Sequence, residues 1–365
     1  MARATRVEVA QAVPTTTPAS GSEPASGSEP ASGSEAASGS EAGKPIVCWD
    51  DEVDEILGGD LTAVLGYVTP ASGVVVSPVA PIGLRDRAAG TVSFTTSLGF
   101  GRKLERFAKN PKMTLAFAAR EHGFARSQRF VLVQGSVVEV RQPDSAWVDA
   151  NLTPRAERFL GPVKRGRLWD PWLREYYQER VVVTARVDRV TTWPDLQCEG
   201  RASVIGAPLS GDPEPQRRPE QGTGARVKVG KAGRHLSGSR HLLLGFVEGD
   251  GYPFVVPVRL TQTGPDGLLL AGGVQLPPGG RRAGLLGHSY NPELVGLTVH
   301  QHTGWMQVDV AGSKQCAYYP HTDRGFRAPP NKTLLLISNG AIAKYGLWKA
   351  RRAGRERLLH TGPGS

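Results

Sequence analysis

Hydroxyl and cationic side chains are concentrated in one short stretch of the sequence, residues 90–117. The alternating β-branched residues at 91–95 predict a strand, which runs into a turn rich in glycine and hydroxyl groups. Arg102 and Lys103 follow this turn at the start of a short helical pattern, and Pro111 comes after the end of that helix. Hydroxyls, backbone N–H groups and two cations therefore meet at one strand-to-helix junction, an arrangement that can bind a phosphate.

Arg102 and Lys103 are the main candidates for contacts to this phosphate. Arginine offers a planar fork of donors and lysine a compact charge, and both suit phosphate oxygens. Arg85 and Arg87 lie in the turn before the same strand and are further candidates for the same anion. The alternative interpretation is a well-capped connection with exposed turn arginines and no ligand.

The same stretch resembles the pyridoxamine-phosphate-oxidase-like family of split β-barrel flavoproteins. In that family a strand ending in aromatic-Thr-Asn is followed by Ser-Arg-Lys, a helix and Asn-Pro. Here Phe94-Thr95-Thr96, Arg102-Lys103 and Asn110-Pro111 stand for these elements, with one extra turn residue. The resemblance, which extends more loosely over residues 49–193, implies an FMN site. Its phosphate would lie near Arg102 and Lys103, and the polar edge of the flavin near the hydroxyls of Thr95, Thr96 and Ser97.

The chain departs from the true pyridoxamine phosphate oxidases in the strand before this one. Those enzymes carry an arginine and a lysine there for the cofactor phosphate, whereas Val79 and Leu84 stand at these positions here. Vitamin B6 is therefore not the expected substrate. Looser relatives bind FMN, the deazaflavin coenzyme or haem. His122, in a polar loop, could hydrogen-bond a flavin or ligate haem, or it is an ordinary loop histidine.

The resemblance implies an FMN-dependent oxidoreductase that acts on an unknown small-molecule substrate or takes electrons from a nicotinamide or deazaflavin donor. Alternatives are a deazaflavin-dependent reductase, a flavin- or haem-binding protein without activity, and a degenerate barrel that acts as an interaction protein. No catalytic residue is assigned, because a flavin carries the redox chemistry itself.

Composition narrows the remaining classes. The net charge is +10, but the basic C-terminal segment comes with no recognition helix or stacking platform, so nucleic acid is not an expected partner. The three scattered cysteines form neither a disulfide framework nor a metal set, and they fit a reducing cytoplasm. His300 and His302 share one face of a strand without a third ligand, so no metal is expected. Neither a membrane-spanning apolar run nor a signal-peptide core is present in this sequence.

The pattern along the chain divides it into five segments. A repeated small, polar hexamer predicts a disordered tail, and the rest predicts β-rich regions on either side of a linker rich in Pro, Gly, Arg and Glu. The predicted segments are the tail at 1–43, an FMN-binding-like split barrel at 44–207, the linker at 208–237, a second split-barrel-like domain at 238–350 and a basic tail at 351–365.

The second β-rich region repeats the order of elements of the first. The first region begins with a predicted hairpin of strands at 61–69 and 74–79, before its strand, turn and short helix. In the second region a hairpin and a strand lead to an arginine-containing turn at 277–282, which precedes a predicted helix at 283–288 and further strands. We therefore predict a mainly β protein with two split barrels in tandem. Single-barrel members of the family are typically homodimers with cofactor sites at the interface. The resemblance thus implies either a homodimer or an internal pseudo-dimer within one chain.

Overall fold

Two β-sheets follow one another along the chain. The structure, a computed structural model, describes residues 45–359, so the predicted tail at 1–43 and the end of the basic tail lie outside the described residues. The strands of the first half are β1 (Ala63–Val68), β2 (Val74–Val79), β3 (Arg85–Asp86), β4 (Thr91–Thr96), β5 (Lys112–Phe117), β6 (Phe130–Arg141), β7 (Val181–Trp193) and β8 (Ser203–Gly206). Those of the second half are β9 (His241–Val247), β10 (Pro253–Thr263), β11 (Leu268–Gly272), β12 (Gly279–Ser289), β13 (Thr298–Val308), β14 (Gln315–Pro320) and β15 (Arg324–Arg327).

Helices connect and cover these strands. They are α1 (Asp51–Gly59), α2 (Arg102–Phe107), α3 (Ser145–Trp147), α4 (Thr153–Leu160), α5 (Trp169–Tyr177), α6 (Val229–Ser237) and α7 (Lys332–Arg352). Short 3-10 turns at Leu98–Phe100, Pro292–Leu294 and Arg355–Leu358 and a π-helical turn at Val148–Leu152 complete the elements. Within residues 45–359, no helix has both the length and the apolar character needed to cross a membrane.

The first sheet has the order β2-β1-β5-β6-β7-β4-β3, with β8 added on β7. Its strands pair antiparallel, and β1 and β2 form the predicted hairpin. Side chains such as Phe94, Leu115 and Val133 are fully buried inside it. The sheet curls around this core, while its two ends, β2 and β4, are not hydrogen-bonded to each other.

The second sheet closes on itself. Its order is β12-β9-β10-β11-β14-β13, and β13 pairs back with β12, so six strands form a closed barrel with β15 attached to β13. Started from its hairpin, the order β10-β9-β12-β13-β14-β11 is the same as β2-β1-β5-β6-β7-β4 in the first half. The predicted class, mainly β with a barrel, is confirmed, and both halves use one strand order.

The two halves pack against each other through equivalent strands. Strand β2 contacts β9, β12 and β13, and its counterpart β10 contacts β1, β5 and β6. Val76 of β2 and Val255 of β10 are fully buried in one shared core. This reciprocal contact fixes the relation between the halves because burial of apolar surface stabilises it.

The prediction of a helix at 283–288 is wrong, because these residues lie within strand β12. Residues 283–288 are buried on both faces of the strand. Strands β9 and β13 pair with its two edges in the barrel, and β2 packs against it. A strand buried on both sides reads as a continuous apolar run, which periodicity alone cannot separate from a buried helix.

Helix α6 lies within the predicted linker, and helix α7 crosses the predicted boundary at residue 350. The end of the predicted linker forms α6, whose Val229, Ala232 and Leu236 are buried on the second barrel. Helix α7 begins inside the predicted second domain and continues beyond residue 350. Its Leu347 and Ala350 are buried in the core of the first half. The C-terminal segment therefore returns to the first sheet.

Candidate cofactor site

Strand β4 delivers the predicted hydroxyl groups to its end. Phe94 points into the core and Thr95 is half-buried on the opposite face, as alternation along a strand requires. Thr96 and Ser97 are buried, and the Ser97 hydroxyl accepts a hydrogen bond from the Gly99 backbone N–H at 3.2 Å. Because Thr95 and Thr96 alternate along the strand, they do not line one surface together. Thr96 and Ser97 are the hydroxyls at the connection from β4 to α2, residues 97–103, which we call the basic turn because it carries Arg102 and Lys103.

Lys103 is the most unusual charge at this turn. Its Nζ lies 6.0 Å from the centroid of the Phe94 ring, and the side chain is half-buried. No carboxylate among residues 45–359 forms an ion pair with it. Burial lowers the pKa of the Lys103 ammonium to about 8. An anion or a strong acceptor beside a partly buried ammonium stabilises its charged form.

Further cations surround the same place. Arg102 is exposed at the start of α2, and neither it nor Arg106 has an ion-pair partner in the described part of the chain. Tyr67 of β1 lies beneath them. Burial raises the pKa of the Tyr67 phenol, and the nearby guanidinium groups of Arg106, Arg324 and Arg102 act in the opposite direction. Arg324 belongs to β15, so both halves of the molecule contribute positive charge.

Aromatic contacts hold α2 in place. The Phe107 ring packs edge-on against Tyr67 at 5.8 Å and against Phe94 at 6.3 Å between centroids. Phe107 thus joins β1 to β4. Such pairs contribute about 0.5–1.5 kcal/mol beyond the area that they bury. This contact fixes the C-terminal end of α2 to the sheet.

The C-terminal segment packs on the same turn. Gly99 lies so close to α7 that a Cβ atom on it would be 2.9 Å from the Cα of Gly346. The Arg355 side chain lies against Gly101, and its Nε donates to Glu105 Oε1 at 3.1 Å. The Glu105 carboxylate of α2 is therefore engaged by Arg355, and α7 closes one side of the turn.

Arg85 is not brought to this turn. Its Nε and Nη2 donate to the two carboxylate oxygens of Asp54 at 2.8 and 2.5 Å. It pairs in register with Val92, at the opposite end of β4 from Thr96. Arg87 is likewise bonded to Asp51 of α1. Both turn arginines connect β3 to α1, and their charges are neutralised there.

His122 follows the C-terminal end of β5, whereas α2 leads into the N-terminal end of that strand. It is exposed, adopts a left-handed backbone with φ of 62°, and its ring contacts Tyr290 at 6.0 Å between centroids. Tyr290 also accepts a hydrogen bond from Thr62 at 2.9 Å across the two halves. The structure therefore assigns His122 to a second polar cluster and not to the basic turn.

That second cluster contains buried titratable groups from both halves. His241 Nε2 is 2.7 Å from Glu121 Oε2, and the His241 ring is 5.1 Å from that of His288. His288 is buried, and neither of its ring nitrogens has a hydrogen-bond partner in the described residues. Burial lowers the pKa of His288 to about 3, so this histidine is neutral. Within the same described range, no group of three or more ligand-type side chains is placed to hold a metal.

Sequence reasoning missed Tyr67, Arg106 and Arg324. Arg106 follows Arg102 by one helical turn, so helical spacing could have identified it. Tyr67 and Arg324 are distant in sequence and carry no local signal. Only the packing of the two halves brings them together.

Comparisons with known proteins find solved structures that are similar to part of this chain. No protein-family model matches the chain, and no curated protein matches it. A protein related to general stress protein 26 (pyridoxinephosphate oxidase family) from Clostridium acetobutylicum is 15% identical over 42% of this chain and 90% of its own, with a TM-score of 0.30. An F420 reductase is 17% identical over 38% of this chain and 94% of its own, with a TM-score of 0.28.

A third solved structure is a pyridoxamine 5'-phosphate oxidase-related, FMN binding protein from Nostoc punctiforme. It is 10% identical over 40% of this chain and 87% of its own, with a TM-score of 0.25. The solved structures that are similar to part of this chain thus include members of the pyridoxamine 5'-phosphate oxidase group, at low sequence identity.

Proposed function

We propose that this protein binds FMN at the basic turn between β4 and α2 and acts as an FMN-dependent oxidoreductase. The observation that carries the proposal is the Lys103 ammonium, half-buried beside Phe94 without a carboxylate partner among the described residues. A bound phosphate would supply the missing anion. The site residues fit this group, since a phosphate dianion matches several cations and hydroxyl donors.

The residues would divide the work of binding. Arg102 and Lys103 would hold the phosphate, and the hydroxyls of Thr96 and Ser97 are the neighbouring donors. Arg102 and Arg324 of the second half are both near Tyr67, so the flavin would lie near the junction of the halves. The side chains bind and orient the cofactor, and α7 limits the access of water to the turn.

The bound flavin would supply hydride transfer, and no protein nucleophile is required for it. The electron partner would be a small organic substrate or a nicotinamide donor. A deazaflavin coenzyme that carries phosphate would use the same cations, so it is the second cofactor to test. A cytoplasmic location stays a prediction based on the free cysteines.

The test compares FMN with riboflavin, which lacks the phosphate, by flavin fluorescence titration. In the R102A/K103A variant we expect FMN binding to weaken by about tenfold or more, because a charge-assisted hydrogen bond contributes roughly 1.5–3 kcal/mol. Riboflavin binding should change little. The matched control is Lys109→Ala, which removes an exposed cation without an ion pair just beyond the same helix in the described structure.

Unchanged FMN affinity in the double variant would refute the phosphate assignment. An equal loss for FMN and riboflavin would indicate damage to the fold instead of a lost phosphate contact. The absorbance spectrum of the purified protein after incubation with FMN, deazaflavin coenzyme and haemin identifies the cofactor class. A protein that stays colourless with all three would contradict the proposal.

A further inference from the structure

A cavity lies between the halves at the tip of the β1–β2 hairpin. Its volume is about 540 Å³, and it is bounded by Thr69 and Gly73 of the hairpin, by the loop 217–226, by the first half of β12 and by the middle of β13. None of the residues of the basic turn lines it. A cavity of this size is in the range that holds a small molecule.

Positive charge dominates the wall of this cavity. Its cationic residues are Arg217, Arg218, Arg226 and Arg282, with His321 beside them, and Glu220 is the carboxylate among its lining residues. These arginines converge from the loop and from β12, which are far apart in sequence. The cavity is therefore formed by the tertiary structure and not by a single basic run.

Within residues 45–359, the arginines of the cavity form no ion pair with a carboxylate. Arg226 donates to the Gln221 side chain at 2.7 Å and to the Gly222 carbonyl at 3.0 Å, both neutral acceptors. Arg217 and Arg218 form no ion pair with any residue that the structure describes. Their guanidinium forks thus remain available to carboxylate or phosphate oxygens.

The corresponding hairpin of the second half, β9–β10, shows which partners the cations at such a position require. There the tip of the β9–β10 hairpin packs on the first sheet, and Arg189 lies beneath it, almost fully buried. Glu248 and Asp250 of the hairpin bind this guanidinium at 2.6 and 2.7 Å, and Gln134 accepts from its Nε at 2.5 Å. At this position the chain itself provides the anions.

The β1–β2 hairpin lacks such carboxylates. Its tip presents Thr69, Ala71 and Gly73 to the cavity, where its counterpart presents two acidic side chains. The cations on the facing wall therefore lack the partner that the other half has. An external anion would complete the arrangement.

We infer that this cavity binds a small polyanion that carries two or more phosphate or carboxylate groups, at a site separate from the basic turn. The four converging arginines and the uncharged hairpin tip set this ligand class. The inference does not depend on flavin binding, since no residue is shared between the two places.

The experiment is calorimetric titration of the full chain with inorganic pyrophosphate and with citrate, at constant ionic strength, with sulfate as the simple-ion comparison. We expect the wild-type protein to bind at least one of the two polyanions more tightly than sulfate. The R217A/R218A variant should lose about tenfold or more of that affinity, because charge-assisted bonds are removed. Pyrophosphate binding alone would identify a phosphate ligand, and citrate binding alone a carboxylate ligand.

The matched control is the R240A/R259A variant, which removes two exposed arginines outside the cavity. Its affinity should equal that of the wild type. The proposal is overturned if neither polyanion binds more tightly than sulfate, or if both double variants lose affinity equally, which would indicate diffuse attraction to a basic protein. FMN titration of R217A/R218A separates the two proposals, since the flavin affinity should not change.

Discussion

The two halves of this molecule share a strand order and differ in how their sheets end. In the second half β10 and β11 are joined by a short turn, in which the Gly264 N–H donates to the Gly267 carbonyl at 2.9 Å, and the barrel closes. In the first half β3 and its flanking turns separate β2 from β4, and these two strands do not pair. A short connection enforces pairing of its strands, whereas a longer one allows them to part.

The halves differ again in the segment after this point. In the first half β4 leads through a hydroxyl-rich turn to α2, whereas in the second half β11 leads to β12 without a helix. The cations of the basic turn and the aromatic anchor of Phe107 therefore belong to the first half. The comparison teaches that one strand order used twice within a chain can keep its packing role in both halves while only one half carries the proposed cofactor site.

The largest expected effect is a loss of stability at the tip of the β9–β10 hairpin. Replacing Arg189 with alanine leaves Glu248 and Asp250 without their cation, and Glu248 is nearly buried. Breaking a buried ion pair on one side costs about 3–5 kcal/mol, so we expect a loss of this size in the free energy of unfolding. Denaturant unfolding measures it.

The matched variant is Arg282→Ala, on the strand that faces the other hairpin. We expect it to cost far less, since Arg282 forms no ion pair within the described range. Equal losses of stability in the two variants would contradict the contrast between the two hairpin tips. At the β9–β10 tip the arginine is paired with carboxylates, and at the β1–β2 tip the facing arginine is not.

A smaller effect is expected where α7 covers the basic turn. In the Gly99→Val variant the new side chain would collide with the backbone of Gly346. Overpacking of this kind costs about 1–3 kcal/mol, measured as a lowered thermal midpoint, and FMN binding should weaken as the turn shifts. The control is Gly224→Val, where a Cβ atom meets no neighbour within 4 Å. A Gly99 variant as stable as this control would show that α7 does not hold the turn.

The smallest expected effect is a dependence of stability and of FMN affinity on pH that comes from Lys103 of the first half. The folded-state pKa of Lys103 is lowered from 10.5 to about 8, so the folded protein holds fewer protons than the unfolded chain between these values. The contribution of Lys103 to stability therefore rises as pH increases through this window. Phosphate binding has the opposite dependence, because it needs the charged ammonium.

FMN affinity should accordingly fall as pH rises through about 8, by about tenfold if one charge-assisted bond is lost. Titrations of wild type and Lys103→Met at pH 7 and pH 9 check this. The variant should bind more weakly at pH 7 and show little further change at pH 9. A wild-type affinity that does not change across this range would contradict the role of Lys103.

The sequence by itself determined the local features of this protein. The strand, basic turn and short helix around Arg102 and Lys103 were predicted at their observed places, because alternation, turn chemistry and a following proline act over a few residues. The β1–β2 hairpin and the mainly β class followed from the same local rules. Those rules also placed Arg102 and Lys103 side by side at the helix start.

The tertiary structure decided everything that depends on what a segment packs against. Residues 283–288 became a strand because β12 is buried on both faces, and the Arg85 guanidinium is paired with Asp54 of α1, away from the turn that carries Arg102. Arg324 lies near Tyr67, and α7 contacts Gly99, because parts of the chain that are distant in sequence pack together. Burial and charge pairing are properties of the assembled molecule, so the local pattern specified the elements and their packing selected the partners.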